Sequence, residues 1–211
     1  ETRLATEQGR GVCVGKPVPG VAVRIVRITD TPISTWDEAL LCPPGEIGEI
    51  VVQAKHATRG YWQRPDATAL AKIPAGDGFY HRMGDVGYLD EQGRIWFCGR
   101  KSHRVVTRAG VLFTIPCEAI FNTHPAVFRS ALVGVPRGDD LEPVICVELE
   151  PDARNRDWNI LQAELRDLGA RFEHTRPIRR FLVHPAFPVD IRHNAKIFRE
   201  KLAVWARRRA A

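Results

Sequence analysis

The feature that most constrains the fold of this chain is a change of sequence pattern near residue 100. Before that point, short segments in which apolar and polar residues alternate are separated by Gly and Pro, as in residues 21–28 (VAVRIVRI) and 46–54 (EIGEIVVQA). Such alternation, rich in β-branched residues, indicates half-buried strands. After that point, apolar strand-like segments alternate with helix-like segments. The pattern therefore predicts an α+β chain, with a β-rich subdomain over residues 1–100 and a small α+β domain over residues 101–211.

Further elements are predicted on each side of this boundary. In the first part we expect a turn at residues 90–93, a helix over residues 67–72, and strands at residues 79–83, 86–90 and 94–99. In the second part we expect a hairpin over residues 103–114 that turns near Ala109-Gly110, strands at residues 130–135, 144–150 and 178–184, and helices at residues 116–123, 158–170 and 197–209. Pro116 suits a first helical turn, where its missing N–H costs nothing, and Asp157 is a predicted N-cap.

Composition and charge narrow the class of protein. No apolar segment approaches the ~20 residues of a membrane-spanning helix, and no basic-then-apolar leader is present, which favours the cytoplasm. The five cysteines are widely spaced and form no C-x-x-C pair, so reduced structural thiols are favoured over zinc ligands or disulfides. The net charge is +6, with basic residues concentrated at 176–180 and 207–209 and no interleaved aromatic residues. A basic nucleic-acid-binding module therefore stays only as an alternative of another class.

The start of the sequence suggests that a longer protein is involved. The chain opens with Glu1, and Met83 is its one methionine. We therefore expect this sequence to be a piece of a longer protein, with functional residues outside it.

Three charged residues suit the binding of a nucleotide. In Met83-Gly84-Asp85, glycine lets the backbone approach a ligand closely, and the two carboxylate oxygens of Asp85 can accept from two vicinal hydroxyl groups. Arg100, after Gly99, offers a rigid fork of donors for ribose and phosphate oxygens. Lys196 is a lone ammonium between an apolar strand and the last helix. Taken alone, Lys196 is better explained as a solvated lysine, and a turn-capping aspartate and a surface ion pair are the plain alternatives for Asp85 and Arg100.

Their order along the chain decides between these interpretations. Four stretches occur together: residues 45–68, residues 80–100, Pro116-Cys117-Glu118, and residues 194–202 (NAKIFREKL). In this order and spacing the chain resembles the C-terminal part of the acyl-adenylate-forming enzymes, the superfamily of acyl-CoA synthetases, adenylation domains and luciferases. The resemblance covers nearly the whole chain. It implies that residues 1–100 are a distorted, barrel-like subdomain of a large adenylating domain and that residues 101–211 are a mobile lid.

The resemblance also implies roles for single residues. Asp85 matches the residue that holds the ATP ribose, and Arg100 matches an arginine that contacts the nucleotide. Phe97 and its neighbour Trp96 are candidates to flank the adenine, with core packing as the alternative.

Lys196 matches the lysine that offsets negative charge on the α-phosphate as pyrophosphate leaves. Here NAK stands where serine-glycine-lysine is common. The superfamily's hinge falls on Lys101 or Ser102, and the sequence leaves the choice between them open.

The implied cofactors are ATP and Mg²⁺. No metal ligands are assigned within this chain, because the phosphate loop and the stretch that holds adenine and Mg²⁺ are absent from it. Both are expected upstream of Glu1. The chain alone is therefore expected to be inactive.

Two longer stretches are similar to one family of this superfamily, the β-lactone synthetases of bacterial olefin biosynthesis. They are HRMGDVGYLDEQGRIWFCGRK and PAFPVDIRHNAKIFREKLAVWA. That family adenylates a long-chain β-hydroxy acid, whose own hydroxyl then closes a lactone. The resemblance also implies partners among the other enzymes of olefin biosynthesis, in a multienzyme assembly.

One departure from the superfamily bears on the reaction. The segment before Pro116 is lengthened and holds the apolar Val111-Leu112-Phe113, which disfavours ordinary thioester formation. A long-chain acyl-CoA or acyl-AMP ligase is the alternative enzyme. His81 and His193 are candidate bases for the hydroxyl, although structural or solvated roles are favoured for both.

Overall fold

The computed structural model describes residues 1–192 and 196–210. The chain divides into two compact units, one of residues Gly11–Ser102 and one of residues His103–Ala211 together with Glu1–Arg10. The α+β class with a β-rich first part is confirmed. The roles of adenylating subdomain and mobile lid stay predictions.

The elements are numbered along the chain. The helices are α1 (Thr2–Glu7), α2 (Pro65–Ala71), α3 (Thr114–Phe121), α4 (Trp158–Ala170) and α5 (Arg199–Ala210). The strands are β1 (Val12–Gly15), β2 (Val21–Val26), β3 (Gly48–Ala54), β4 (Lys72–Ala75), β5 (Gly78–Leu89), β6 (Ile95–Arg100), β7 (Val105–Thr107), β8 (Gly110–Leu112), β9 (Val127–Arg137), β10 (Asp140–Leu149), β11 (Arg180–Val183), β12 (Val189–Asp190) and β13 (Lys196–Ile197). Short 3-10 helices lie at Glu38–Leu40, Lys101–His103 and Pro151–Ala153.

The Gly11–Ser102 unit is built on one antiparallel sheet. Its strands follow the order β1-β6-β5-β3-β2, and β4 pairs with β5. Apolar residues of β2 and β3 alternate between two clusters, with Val26 and Val51 in one and Ile25 and Ile50 in the other. Both sheet faces are therefore covered, as the alternating pattern requires.

The prediction of separate strands at residues 79–83 and 86–90 was wrong. β5 runs through both, because Val51 pairs with Arg82 and Glu49 pairs with Val86, so that Met83-Gly84-Asp85 bulges out opposite one residue of β3. Gly84 has φ +68°, a value at which a side chain would be strained. The bulge therefore bends the strand without ending it.

The predicted turn at residues 90–93 is confirmed, and Asp90 stabilises it. The Asp90 Oδ1 atom accepts from the Arg94 backbone N–H (2.8 Å), and Oδ2 accepts from the Trp96 indole N–H (2.8 Å). Burial opposes ionisation of this carboxyl, but the hydrogen bonds from Trp96 and Arg94 outweigh it and lower the pKa of Asp90 below its ordinary value.

The second unit contains a mixed three-stranded sheet in the order β11-β10-β9, with β9 antiparallel and β11 parallel to β10. Helices α3 and α4 cover one face, where Phe121 meets Phe181 edge to face with ring centroids 5.3 Å apart. Helix α5 covers the other face through the buried Leu202 and Ala206. Because β9 and β10 are buried on both faces, their sequences are apolar runs.

Several local predictions for this unit are confirmed. The Asn159 backbone N–H donates to Asp157 Oδ1 (2.8 Å) as an N-cap requires. Helix α3 begins at Thr114, so Pro116 lies in its first turn. The β7–β8 hairpin turns at Arg108-Ala109, one residue earlier than predicted.

Helix α1 and strands β1 and β4 were not predicted from the sequence pattern. Helix α1 has six residues, no side-chain cap and no buried residue, so local propensity does not define it. Gly9 follows this helix in the chain, and a Cβ added to Gly9 would lie 2.4 Å from His174 Nε2. Tertiary contact therefore fixes this segment. Over residues 1–192 and 196–210, no helix combines the length and apolar character that crossing a membrane requires.

Candidate functional site

Two of the residues predicted to bind a nucleotide lie side by side on the first unit's sheet. Asp85 and Arg100 are direct partners across β5 and β6. Arg100 Nη1 donates to Asp85 Oδ1 at 2.6 Å, with 49% of the Arg100 side chain and 22% of the Asp85 side chain exposed. The bulge at Gly84 and the strand end at Arg100 therefore present a carboxylate and a guanidinium together to solvent.

The two aromatic candidates on β6 differ in environment. Trp96 is 3% exposed, and its ring stacks on Tyr88 with centroids 6.1 Å apart. Since its N–H also bonds Asp90, Trp96 is a core residue that stabilises the β5–β6 hairpin. Phe97 alternates to the opposite face of the strand and is half-buried. Phe97 therefore remains the aromatic candidate.

A buried charge cluster lies behind this surface. Glu49 is 1% exposed, and its Oε2 atom accepts from Arg82 Nη2 (2.7 Å) and from Lys101 Nζ (3.1 Å). Lys101 Nζ also donates to the Thr29 carbonyl (3.0 Å), and Arg82 Nη1 donates to the Thr31 carbonyl (2.8 Å). One carboxylate thus ties the end of β6 to β3 and β5. This cluster was not predicted from the sequence; the charges of Glu49 and Arg82 within apolar strands were the available signal.

The first prediction concerns the stability that this cluster provides. Glu49→Ala is expected to lower the free energy of unfolding by about 3–5 kcal/mol, because it leaves the buried Arg82 and the partly buried Lys101 without their carboxylate. Urea denaturation would measure the change. Glu91→Ala, at an exposed turn position, is the matched control and should change stability by less than ~0.5 kcal/mol. Equal stability of the two variants would contradict the prediction.

Lys196 lies in the second unit, in the two-residue strand β13, where it pairs with Asp190 of β12. Its side chain is exposed. Three residues later, Arg199 begins helix α5 and binds Glu118 of α3 through Nη1–Oε1 (2.6 Å) and Nη2–Oε2 (2.9 Å). Burial raises the pKa of Glu118, although the Arg199 charge and hydrogen bonds oppose that shift.

Of the two histidines proposed as bases, the structure describes His81. His81 Nδ1 lies 3.1 Å from the Ala71 carbonyl, and burial lowers the pKa of this imidazole. A neutral ring that donates to a backbone carbonyl has a structural role. His193 lies outside the described residues, as do Asn194 and Ala195 of the NAK motif.

Within the described ranges, no three or more His, Cys, Asp or Glu side chains come together in a group that could hold a metal ion. Asp85 and Arg100 offer an acceptor and donors of the kind that ribose and phosphate oxygens need.

Comparison with known proteins gives two relatives that match almost the whole chain. The sequence is 51% identical over 210 residues to an olefin beta-lactone synthetase of Xanthomonas campestris pv. campestris, and 52% identical over 210 residues to that of Stenotrophomonas maltophilia. Each match covers 97% of this chain but 38% of the relative, so the chain spans about two fifths of the length of these curated relatives. No family model matches the sequence.

A more distant relative and a solved structure extend the comparison. A long-chain-fatty-acid–CoA ligase of Escherichia coli is 33% identical over 132 residues, which are 62% of this chain and 21% of the ligase. The amide bond synthetase McbA from Marinactinospora thermotolerans superposes with a TM-score of 0.73 at 28% identity, over 92% of this chain and 36% of that structure.

Proposed function

Since this chain belongs to the acyl-adenylate-forming superfamily and matches its C-terminal portion, we propose that it is that portion of an ATP-dependent, AMP-forming β-lactone synthetase. The similarity to two olefin beta-lactone synthetases over 97% of the chain carries the proposal. The match to a fatty-acid–CoA ligase is lower in identity and shorter, and it supports the acyl-CoA ligase only as the second candidate. Product analysis with and without coenzyme A separates the two.

The proposed nucleotide contacts are those of Asp85 and Arg100. The Asp85 carboxylate would accept from the ribose hydroxyls, and Arg100, paired to it at 2.6 Å, would orient that carboxylate and reach nucleotide oxygens. Phe97 would contribute an apolar surface to the adenine. Their shared position on β5 and β6 supports a common role.

The second prediction tests the ribose contact in an enzyme that includes the phosphate loop. Asp85→Ala is expected to weaken ATP binding by about 10- to 100-fold, because it removes hydrogen bonds to a charged acceptor, which contribute about 1.5–3 kcal/mol. Ribose contacts are alike in the ground and transition states, so KM should rise more than kcat falls.

Asp85→Asn, which keeps one carbonyl oxygen, should lie between Asp85→Ala and the wild type in nucleotide titrations. Asp77→Ala removes an exposed carboxylate of the same unit and is the matched control. Wild-type affinity in a folded Asp85→Ala protein would remove Asp85 from the site.

Lys196 and the hinge complete the proposal. The Lys196 ammonium would lie between carboxylate and α-phosphate during adenylation and offset the charge that develops there. Lys101 is tied by its side chain to Glu49 and Thr29, which supports Ser102 as the pivot of the lid rotation.

We also propose the substrate and setting that the synthetase relatives suggest. The acid would be a long-chain β-hydroxy acid, and Mg²⁺ would be held mainly by residues outside this chain. A cytoplasmic location, association with other enzymes of olefin formation, and inactivity of this chain alone stay predictions.

A further inference from the structure

The start of helix α5 is fixed by contacts that directly follow Lys196. The Phe198 backbone N–H donates to the Pro188 carbonyl at 2.8 Å. Arg199 then makes two parallel bonds to Glu118, and Glu200 lies 3.3 Å from His103 Nε2. Three contacts to distant parts of the unit thus lie within four residues of Lys196.

Among these contacts, the Arg199–Glu118 pair has the strongest geometry. The two terminal guanidinium nitrogens each donate to one carboxylate oxygen, Nη1 to Oε1 at 2.6 Å and Nη2 to Oε2 at 2.9 Å, and the planar fork favours one relative orientation. Glu118 Oε1 also accepts from the Leu132 backbone N–H at 2.8 Å. The Glu118 carboxylate therefore links the first residue of α5 to both α3 and β9.

The Glu200–His103 contact is weaker. The Glu200 side chain is 75% exposed, so solvent screens it. Burial and the nearby Arg199 charge lower the pKa of His103 although Glu200 opposes this shift, and the charged form of the imidazole is therefore disfavoured. This contact therefore adds little to the placement of the helix.

The ion pair is not needed to attach α5 to the sheet. Leu202 and Ala206 are fully buried against β9 and β10, and this apolar contact holds the helix. A buried ion pair is weak evidence of stability, because an apolar pair of similar volume can replace it at little cost. The two-bond contact between Arg199 and Glu118 fixes how the first turn of α5 is rotated about the helix axis and where it lies along that axis. This turn begins three residues after Lys196.

We propose that the Glu118–Arg199 pair is a positioning device for Lys196, a role that rests on the proposed adenylation function. Displacement of a charged group by ~1 Å can lower a rate by ~10²-fold. Arg199 and Glu118 therefore act on the step that needs the Lys196 ammonium and on no other step.

The test uses the enzyme that includes the phosphate loop and separates its two half-reactions. The first is pyrophosphate release from ATP and a β-hydroxy acid. The second is the conversion of synthetic acyl-AMP to AMP and lactone, in which no pyrophosphate leaves. Arg199→Lys and the double variant Glu118→Gln with Arg199→Met, which buries no unpaired charge, are compared with Arg207→Met. Arg207 is an exposed arginine of the same helix and serves as the matched control.

We expect both test variants to lose about 10²-fold in pyrophosphate release, with unchanged ATP affinity and unchanged acyl-AMP conversion. Arg207→Met should match the wild type in both half-reactions. Equal losses in the two half-reactions would show a general folding role and overturn the proposal, as would full pyrophosphate release by the double variant. Lys196→Ala is measured in parallel: if it loses pyrophosphate release while the Arg199 variants keep it, only the positioning role fails. If Lys196→Ala keeps pyrophosphate release, the proposed role of Lys196 fails together with the inference.

Discussion

Lys196→Ala is expected to lower acyl-adenylate formation by at least about 10²–10³-fold in an enzyme that includes the phosphate loop. Negative charge grows on the α-phosphate as pyrophosphate leaves, and a preorganised ammonium stabilises the transition state more than the ground state. The Lys196 side chain is exposed on a strand of two residues, so its removal leaves no cavity and no unpaired buried group. The loss should therefore appear in kcat, with little change in thermal stability.

Pyrophosphate release under single-turnover conditions measures this effect. Lys201→Ala is the matched control, since Lys201 lies on the following helix and its ammonium contacts the Phe198 ring 4.6 Å away. Lys196→Arg should restore only a part of the rate, because a planar guanidinium does not reproduce the compact charge of an ammonium. Pyrophosphate release by Lys196→Ala at the wild-type rate would refute the assignment.

The sequence predicted the fold class because period and composition are local signals. Alternation over residues 21–28 and 46–54 follows from sheets whose side chains point alternately to two faces. Asp157 indicates the start of helix α4, because an N-cap needs a side-chain acceptor at that position. Both signals can be read without knowing the partner elements.

The elements that the sequence missed depend on distant partners. Helix α1 is too short to form by itself, and Gly9 meets His174 from the far end of the chain. Strand β5 continues through Gly84 because β3 pairs with residues on both sides of the bulge. Local pattern alone suggested a break at this glycine, since positive φ is more typical of turns.

The sequence offered candidate residues for the site but not their supporting contacts. Asp85 and Arg100 are 15 positions apart, and both were named as candidates because the order of the motifs around them resembles the acyl-adenylate-forming enzymes. Glu118 and Arg199 are 81 positions apart, and Glu49 and Lys101 are 52 positions apart. A charge within an apolar segment indicates that a partner exists, but only the packed structure identifies which residue it is.

The product of the reaction decides between the lactone and the thioester. Given a long-chain β-hydroxy acid, ATP and Mg²⁺, the enzyme that includes this chain is expected to form AMP and a β-lactone without coenzyme A. The acid's own hydroxyl oxygen bonds to the activated carbonyl carbon, the bond to AMP breaks, and the hydroxyl proton leaves. Since the nucleophile is part of the substrate, its effective concentration is already high, and coenzyme A should not raise turnover.

The segment before Pro116 gives a second reason to expect that coenzyme A does not raise turnover. The β7–β8 hairpin places Val106 opposite Val111, with 47% and 44% of these side chains exposed. The side chains of this apolar pair offer no hydrogen-bond partner to the amide groups of a pantetheine arm.

A plain fatty acid of equal length provides the matched substrate control. It can be adenylated but has no β-hydroxyl, so it should release one equivalent of pyrophosphate per enzyme and then stall as bound acyl-AMP. The hydroxy acid should turn over many times, because loss of AMP on ring closure frees the site. Mass spectrometry distinguishes the lactone from a thioester, and a dominant coenzyme A thioester whenever the thiol is present would establish the acyl-CoA ligase instead. Equal turnover of the two acids without coenzyme A would mean that water is the nucleophile, since hydrolysis does not need the hydroxyl group.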